Sequence, residues 1–120
     1  MAKILLVEDD PGILSLGKAM LEKIGYIVMG TGNSDEALKF AKEHSDSIRL
    51  LITDVIMPTM SGKELSGKIK EIQPRIKTLF MSGYTANIIA HHGVLDEGVY
   101  FIQKPFSMAA LSAKVKEAMG

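Results

Sequence analysis

With 120 residues, 47% of them hydrophobic, the chain is long enough to bury the core of one domain and too short to build two. Its 14 basic and 14 acidic residues cancel, which leaves no electrostatic footprint for nucleic acid or an anionic membrane, and the lack of cysteine excludes disulfides, thiolate zinc sites and cysteine nucleophiles. No apolar run approaches the roughly 20 residues of a membrane span and the opening MAKILLVEDD lacks the layout of a signal peptide, so one cytoplasmic domain over residues 1–120 is expected.

The first apolar run, Ile4 to Val7, is short and branched, as a strand buried on both faces should be. Asp10 then supplies an N-cap and Pro11 a first helical position, and the spacing of Ile13, Leu16, Gly17, Met20, Leu21 and Ile24 predicts a helix that Gly25 stops. A second strand is predicted at Tyr26 to Met29, and Asn33 with Glu36 three residues on reads as the capping box of a second helix. Leu50 to Thr53 predicts the third strand. Ser61 with Glu64 opens a third helix whose buried stripe is Leu65, Ile69 and Ile72 and which Pro74 closes. A fourth strand at Thr78 to Met81 is followed by a helix from about Ala86 to Glu97, with Gly93 inside it and a poor apolar stripe. The fifth strand, Val99 to Ile102, leads to a last helix capped by Ser107, with Leu111, Val115 and Ala118 on its inner face. Five strands alternating with five helices predict an α/β domain with a parallel sheet and right-handed crossovers.

In such a sheet, ligands bind beyond the carboxyl ends of the strands, so the residues that follow each apolar run matter most. They are Glu8, Asp9 and Asp10 after the first, Asp54 after the third, Ser82 and Gly83 after the fourth, and Lys104 with Pro105 after the fifth. Singly, each has a plainer reading: a charge cluster at a helix N-terminus, turn residues, a solvated lysine. Jointly, they put carboxylates, a hydroxyl and an ammonium on one edge of the sheet. Two unit charges about 4 Å apart repel by roughly 4 kcal/mol at an effective dielectric near 20, so Glu8, Asp9 and Asp54 together need counter-charge. Lys104 supplies one positive charge and leaves the cluster negative, and an all-oxygen site of that kind suits Mg²⁺, with Mn²⁺ an alternative.

The segments ILLVEDDP, LLITDVIMPTMSG, TLFMSGY and FIQKPF, taken in this order, resemble the receiver domain of bacterial two-component response regulators over essentially the whole chain. The resemblance implies the flavodoxin-like, doubly wound (βα)₅ fold with strand order 2-1-3-4-5. It also implies phosphoryl transfer from a phosphohistidine, on a histidine kinase or a histidine phosphotransfer domain, to an aspartate of this chain. Carried over by position, Asp54 matches the phosphoacceptor and Asp9 the acid that binds Mg²⁺ directly. Glu8 matches the neighbouring acid that acts through a water, and the Ile56 backbone carbonyl the third metal contact. Ser82 and Lys104 match the hydroxyl and the lysine that contact the phosphoryl oxygens, with Lys104-Pro105 as a cis peptide. Phe101 matches the aromatic switch position. Phosphorylation would redraw the surface around helix 86–97, the fifth strand and the last helix, with homodimerisation through that face as one outcome. A domain of this kind catalyses its own phosphorylation and dephosphorylation without being a turnover enzyme.

The chain departs from the common pattern two residues after the acceptor, where bulky Ile56, with Tyr84 beside Ser82, is expected to restrict the hydrolytic water and slow dephosphorylation. The stretch MSGYTANIIAHHGVLDEGVYFIQKPF looks more like receivers attached to hybrid sensor histidine kinases than like those leading a DNA-binding regulator. Two other functions compete. A phosphatase with Asp54 as nucleophile expects a second aspartate where Ile56 stands, and a phosphorylation-silent interaction module expects a lost acceptor, metal acid or lysine, all of which are present. Flavin and nucleoside triphosphate binding lack their phosphate loops. Adjacent His91 and His92 point about 100° apart on a helix and do not chelate. Lys63, Lys68, Lys70, Arg75 and Lys77 make the third-helix region basic, as a solvated face or a surface for an acidic partner.

Overall fold

The computed structural model describes residues 3–83 and 99–120. Five strands, β1 (Lys3–Val7), β2 (Ile27–Thr31), β3 (Ile48–Asp54), β4 (Lys77–Ser82) and β5 (Val99–Gln103), form one sheet in the order β2-β1-β3-β4-β5. Every neighbouring pair is parallel. The helices among the described residues are α1 (Pro11–Ile24), α2 (Ser34–Glu43), α3 (Gly62–Ile72) and α4 (Met108–Met119). This is the expected doubly wound α/β architecture. The helix predicted over 86–97 lies outside the described residues, as do Tyr84, His91 and His92.

The helices begin where side-chain oxygens satisfy their free N–H groups. Asp10 Oδ1 accepts from Gly12 N at 2.9 Å and Ile13 N at 3.2 Å to start α1, and Asn33 Oδ1 accepts from Asp35 N and Glu36 N at 2.8 and 3.1 Å to start α2. The reciprocal half of the α2 capping box takes another form: the Asn33 N–H donates to Thr31 Oγ1 at 3.1 Å. Ser61 and Ser107 cap α3 and α4 through Glu64 N and Ala110 N.

At the other end of α1, Gly25 adopts φ 116°, and the N–H groups of Gly25 and Tyr26 both reach back to the Leu21 carbonyl. Tyr26 therefore closes the helix instead of opening β2, which starts at Ile27 and runs on to Thr31, two residues beyond the predicted end. Gly30 falls inside that strand because Leu14 of α1 packs on it, and a Cβ there would sit 3.2 Å from Leu14 Cδ1. The inner stripe of α1 also differs from the expected one. Leu14, Gly17 and Leu21 face the sheet, while Leu16 is 57% exposed.

Two hydrophobic layers enclose the sheet. Ile4, Leu6, Leu50, Ile52 and Leu79 pack with Leu21 of α1 and with Leu111, Val115 and Ala118 of α4. Leu5, Val7 and Leu51 pack on the other face with Ala37 and Ala41 of α2 and Leu65 and Ile69 of α3. Each of the Leu, Ile and Val side chains contributes about 1.5–3 kcal/mol by leaving water. Because β1, β3 and β4 are covered on both faces, their carboxyl ends are held at fixed mutual positions, and those ends carry the polar residues. None of the described helices is long and apolar enough to cross a membrane.

Candidate functional site

The site is assembled from strand ends that are far apart in sequence. β1 delivers Glu8, whose N–H extends the β1–β2 ladder by donating to the Thr31 carbonyl at 3.0 Å. β3 ends on Asp54, and β4 ends on Ser82. Lys104 follows β5, anchored by its N–H to the Ser82 carbonyl at 2.8 Å and followed by a cis bond to Pro105. Glu8, Asp54 and Ser82 are buried, and Asp9 is exposed.

Lys104 Nζ lies 2.6 Å from Glu8 Oε2 and 2.5 Å from Asp54 Oδ1. The second Glu8 oxygen accepts from Asp10 N at 3.1 Å, so both of its oxygens are engaged. One carboxylate oxygen each from Glu8, Asp9 and Asp54 lies within 4.8 Å of the others. A single ammonium thus faces two buried carboxylates, with a third carboxylate at the rim.

That imbalance sets the protonation states. Burial, and then the hydrogen bond and charge of Glu8, push Asp54 up to about 8 against the pull of Lys104. Burial would also raise Glu8, but hydrogen bonds with Asp54 and Lys104 outweigh it and hold this carboxyl below its ordinary range. Burial would lower Lys104, and the two carboxylates more than reverse that. Among the described residues, Lys104 is the one cation that pairs with these two carboxylates, so the Asp54 carboxyl is the one driven toward its protonated form. Oxygen donors only, a surplus of negative charge and one exposed carboxylate are what a hard divalent cation needs, and the residues fit Mg²⁺ on this chemistry.

The loop after Asp54 turns back over it. Val55 N–H donates to the Met81 carbonyl at 3.1 Å, and Gly62 N–H to the Val55 carbonyl at 2.8 Å. Gly62 lies so close that a Cβ there would overlap the Asp54 carbonyl oxygen. Thr53, fully buried, donates its hydroxyl to the same carbonyl at 3.1 Å. Ile56, two residues after Asp54, is 63% exposed. Phe101 is half-buried against Val55 and Phe80, its partner in the β4–β5 register.

Glu8, Asp9 and Asp54 are thus brought together, with Lys104 between Glu8 and Asp54 and Ser82 tied in through the Lys104 backbone; Phe101 packs in the neighbouring Val55–Phe80 cluster, and Ile56 is exposed. Sequence reasoning gave no role to Gly62 or Thr53. Gly62 entered only as the last residue of LLITDVIMPTMSG, a glycine just after an N-cap, with no role of its own.

Residues 4–116 match the family model described as the response regulator receiver domain. The chain is 34% identical to sensor kinase CckA of Brucella abortus, matching over 98% of this chain and 12% of that one. It is 32% identical to the response regulator receiver protein CpdR of the same organism, over 99% of this chain and 98% of that one. Among solved structures, a response regulator receiver domain protein from Clostridium thermocellum superimposes with a TM-score of 0.87 at 30% identity, covering 99% of this chain and 94% of that one. The receiver domain of the hybrid histidine kinase CckA gives 0.85 at 33% identity, covering 99% and 100%.

Proposed function

The chain belongs to the response regulator receiver domain family, and on that footing we propose that Asp54 accepts a phosphoryl group from a phosphohistidine of a histidine kinase or histidine phosphotransfer domain. The observation that carries this reading is the Lys104 ammonium seated between Glu8 and Asp54 at the carboxyl edge of the sheet.

In the reaction, an Asp54 carboxylate oxygen attacks phosphorus, the P–N bond to the donor imidazole breaks, and its electron pair returns to the ring nitrogen. Such a transfer needs positioning and charge neutralisation more than covalent help. Lys104 pairs with one oxygen of the transferring group, and the Ser82 hydroxyl donates to another. Glu8, Asp9, Asp54 and the Ile56 carbonyl are the groups that hold Mg²⁺ or Mn²⁺, which when bound neutralises phosphoryl charge beside Lys104. Asp54 reacts as the carboxylate, so added positive charge at this edge also raises the competent fraction.

The new anion draws Ser82 toward it and opens room for Phe101 to turn inward, which redraws the surface of β5 and α4 and biases a two-state equilibrium. A homodimer formed through that face is one consequence of this reading. Ile56 shields the phosphorylated oxygen from water and prolongs the phosphorylated state. The domain works in the cytoplasm, and the same acceptor chemistry serves a free-standing regulator or a receiver within a larger kinase.

The test is incubation with acetyl phosphate, with and without Mg²⁺, read by intact mass alongside Asp54→Asn. A Mg²⁺-dependent gain of one phosphoryl group, absent from the variant, is expected. Failure with acetyl phosphate and with a purified phosphohistidine donor would overturn the reading.

A further inference from the structure

The opposite edge of the sheet carries a second feature, independent of the acceptor site. A groove of about 780 Å³ opens there, between the ends of α2, α3 and α4 and the starts of β3 and β4. Arg49, Arg75 and Lys77 line it, with Asp46 the one carboxylate among its lining residues. All three cations are exposed, and among the described residues none of them takes part in an ion pair. On the helices, Lys18, Lys39 and Lys114 each sit within 4.0 Å of a neighbouring carboxylate, while the other lysines without an ion pair among the described residues, such as Lys23, Lys42 and Lys116, are spread over separate helices. What distinguishes Arg49, Arg75 and Lys77 is that all three line one concave place, against a single carboxylate.

The floor of the groove is mixed. Ile72 and Met119 offer apolar surface. Gln73 gives its amide N–H to the Ile48 carbonyl, while its Oε1 is buried without a hydrogen-bond partner among the described residues. A ligand matched to this lining brings several anionic oxygens for the guanidinium forks and the ammonium, an apolar group for Ile72 and Met119, and N–H donors. A peptide rich in Asp and Glu around an apolar side chain has all three.

We propose that this groove docks an acidic peptide segment of a partner protein, its carboxylates pairing with Arg49, Arg75 and Lys77. Arg49 stands five residues before Asp54 on β3, a separation of about 17 Å along the strand. That distance exceeds the screening length of about 8 Å at physiological ionic strength, so the partner and a phosphohistidine donor occupy opposite edges without competing.

The test is a titration of ¹⁵N-labelled chain at low salt with a blocked peptide Glu-Asp-Leu-Glu-Asp and its uncharged counterpart Gln-Asn-Leu-Gln-Asn. Expected are amide shifts centred on Arg49, Gln73, Arg75 and Lys77 with the acidic peptide alone, weakened by added salt. The triple variant Arg49→Gln, Arg75→Gln, Lys77→Gln should weaken binding about tenfold or more, and Asp54→Asn should leave it unchanged. Absence of shifts, equal shifts with the uncharged peptide, or shifts centred on Glu8 and Asp54 would overturn the proposal. So would inorganic phosphate binding more tightly than the peptide, which would make the occupant a small anion. A triple variant that melts earlier while binding the peptide as before would overturn it too, because the cations would then serve the neighbouring helix ends.

Discussion

The proton that Asp54 keeps is a measurable burden on the fold. Its carboxyl is pushed up to about 8 from an ordinary 3.8, so the folded chain holds a proton that the unfolded chain has already released. Without metal, this group's contribution to stability is therefore full below about pH 4 and falls as pH rises toward 8. Glu8, held below its ordinary range, acts in the opposite sense, and its contribution is lost only in acid. Melting temperatures in EDTA between pH 4.5 and 8.5 should decline for the natural chain and stay nearly level for Asp54→Asn, with the variant more stable by about 1–3 kcal/mol at pH 7. Mg²⁺ should raise the melting temperature of the natural chain at pH 8, and raise that of the variant less. Gly62 carries a second prediction at this scale. Gly62→Ala forces its Cβ against the Asp54 carbonyl and should cost about 1–3 kcal/mol, with weaker Mg²⁺ binding as the acceptor loop shifts. The carboxylates, Lys104 and Ser82 stood out in the sequence because each lies within two residues of the end of an apolar run. Gly62 did not, because its role comes from a chain reversal that brings it onto a backbone atom eight positions earlier.

Among the elements, the acidic run after β1 divides its labour by position. Glu8 continues the strand's ladder and is buried, Asp9 is exposed at the rim of the carboxylate cluster, and Asp10 is occupied in capping α1. Asp10→Ala should cost about 1 kcal/mol of stability in denaturant titrations while leaving Mg²⁺ affinity and the phosphorylation rate near their natural values. A comparable loss of Mg²⁺ affinity would instead place Asp10 among the metal ligands. The element boundaries show where pattern reading ends. Cap and stop residues marked α1, α3 and α4 because their chemistry is local. β2 ran past its predicted end because Gly30 and Thr31 break the apolar pattern, and what keeps Gly30 in the strand is Leu14 of α1, a tertiary contact. Leu16 was assigned inward because an apolar residue at that spacing usually is; the phase of the helix is set by Gly17, whose lack of a side chain brings α1 close to Leu6 of β1.

At the scale of the whole molecule, the sheet is stable at its centre and less protected at its sides. β3 is flanked by β1 and β4 and buried on both faces, whereas β2 and β5 are edge strands with half-buried residues. Native-state hydrogen exchange should be slowest at Leu50, Leu51 and Ile52 and faster along β5, and Leu51→Ala should cost about 2–5 kcal/mol. Uniform exchange across the five strands would contradict that ranking. The parallel topology also has a bearing on when the site comes into being. Lys104 and Glu8 meet across 96 positions of sequence, and β5 must pair with β4 before the ammonium can reach either carboxylate. During synthesis Asp54 emerges from the ribosome well before Lys104 does. On the reading that Asp54 is the acceptor, a nascent or partly unravelled chain carries that aspartate without its counter-ion, and responsiveness to a donor becomes a property acquired with the last strand, so that only finished molecules would take the signal.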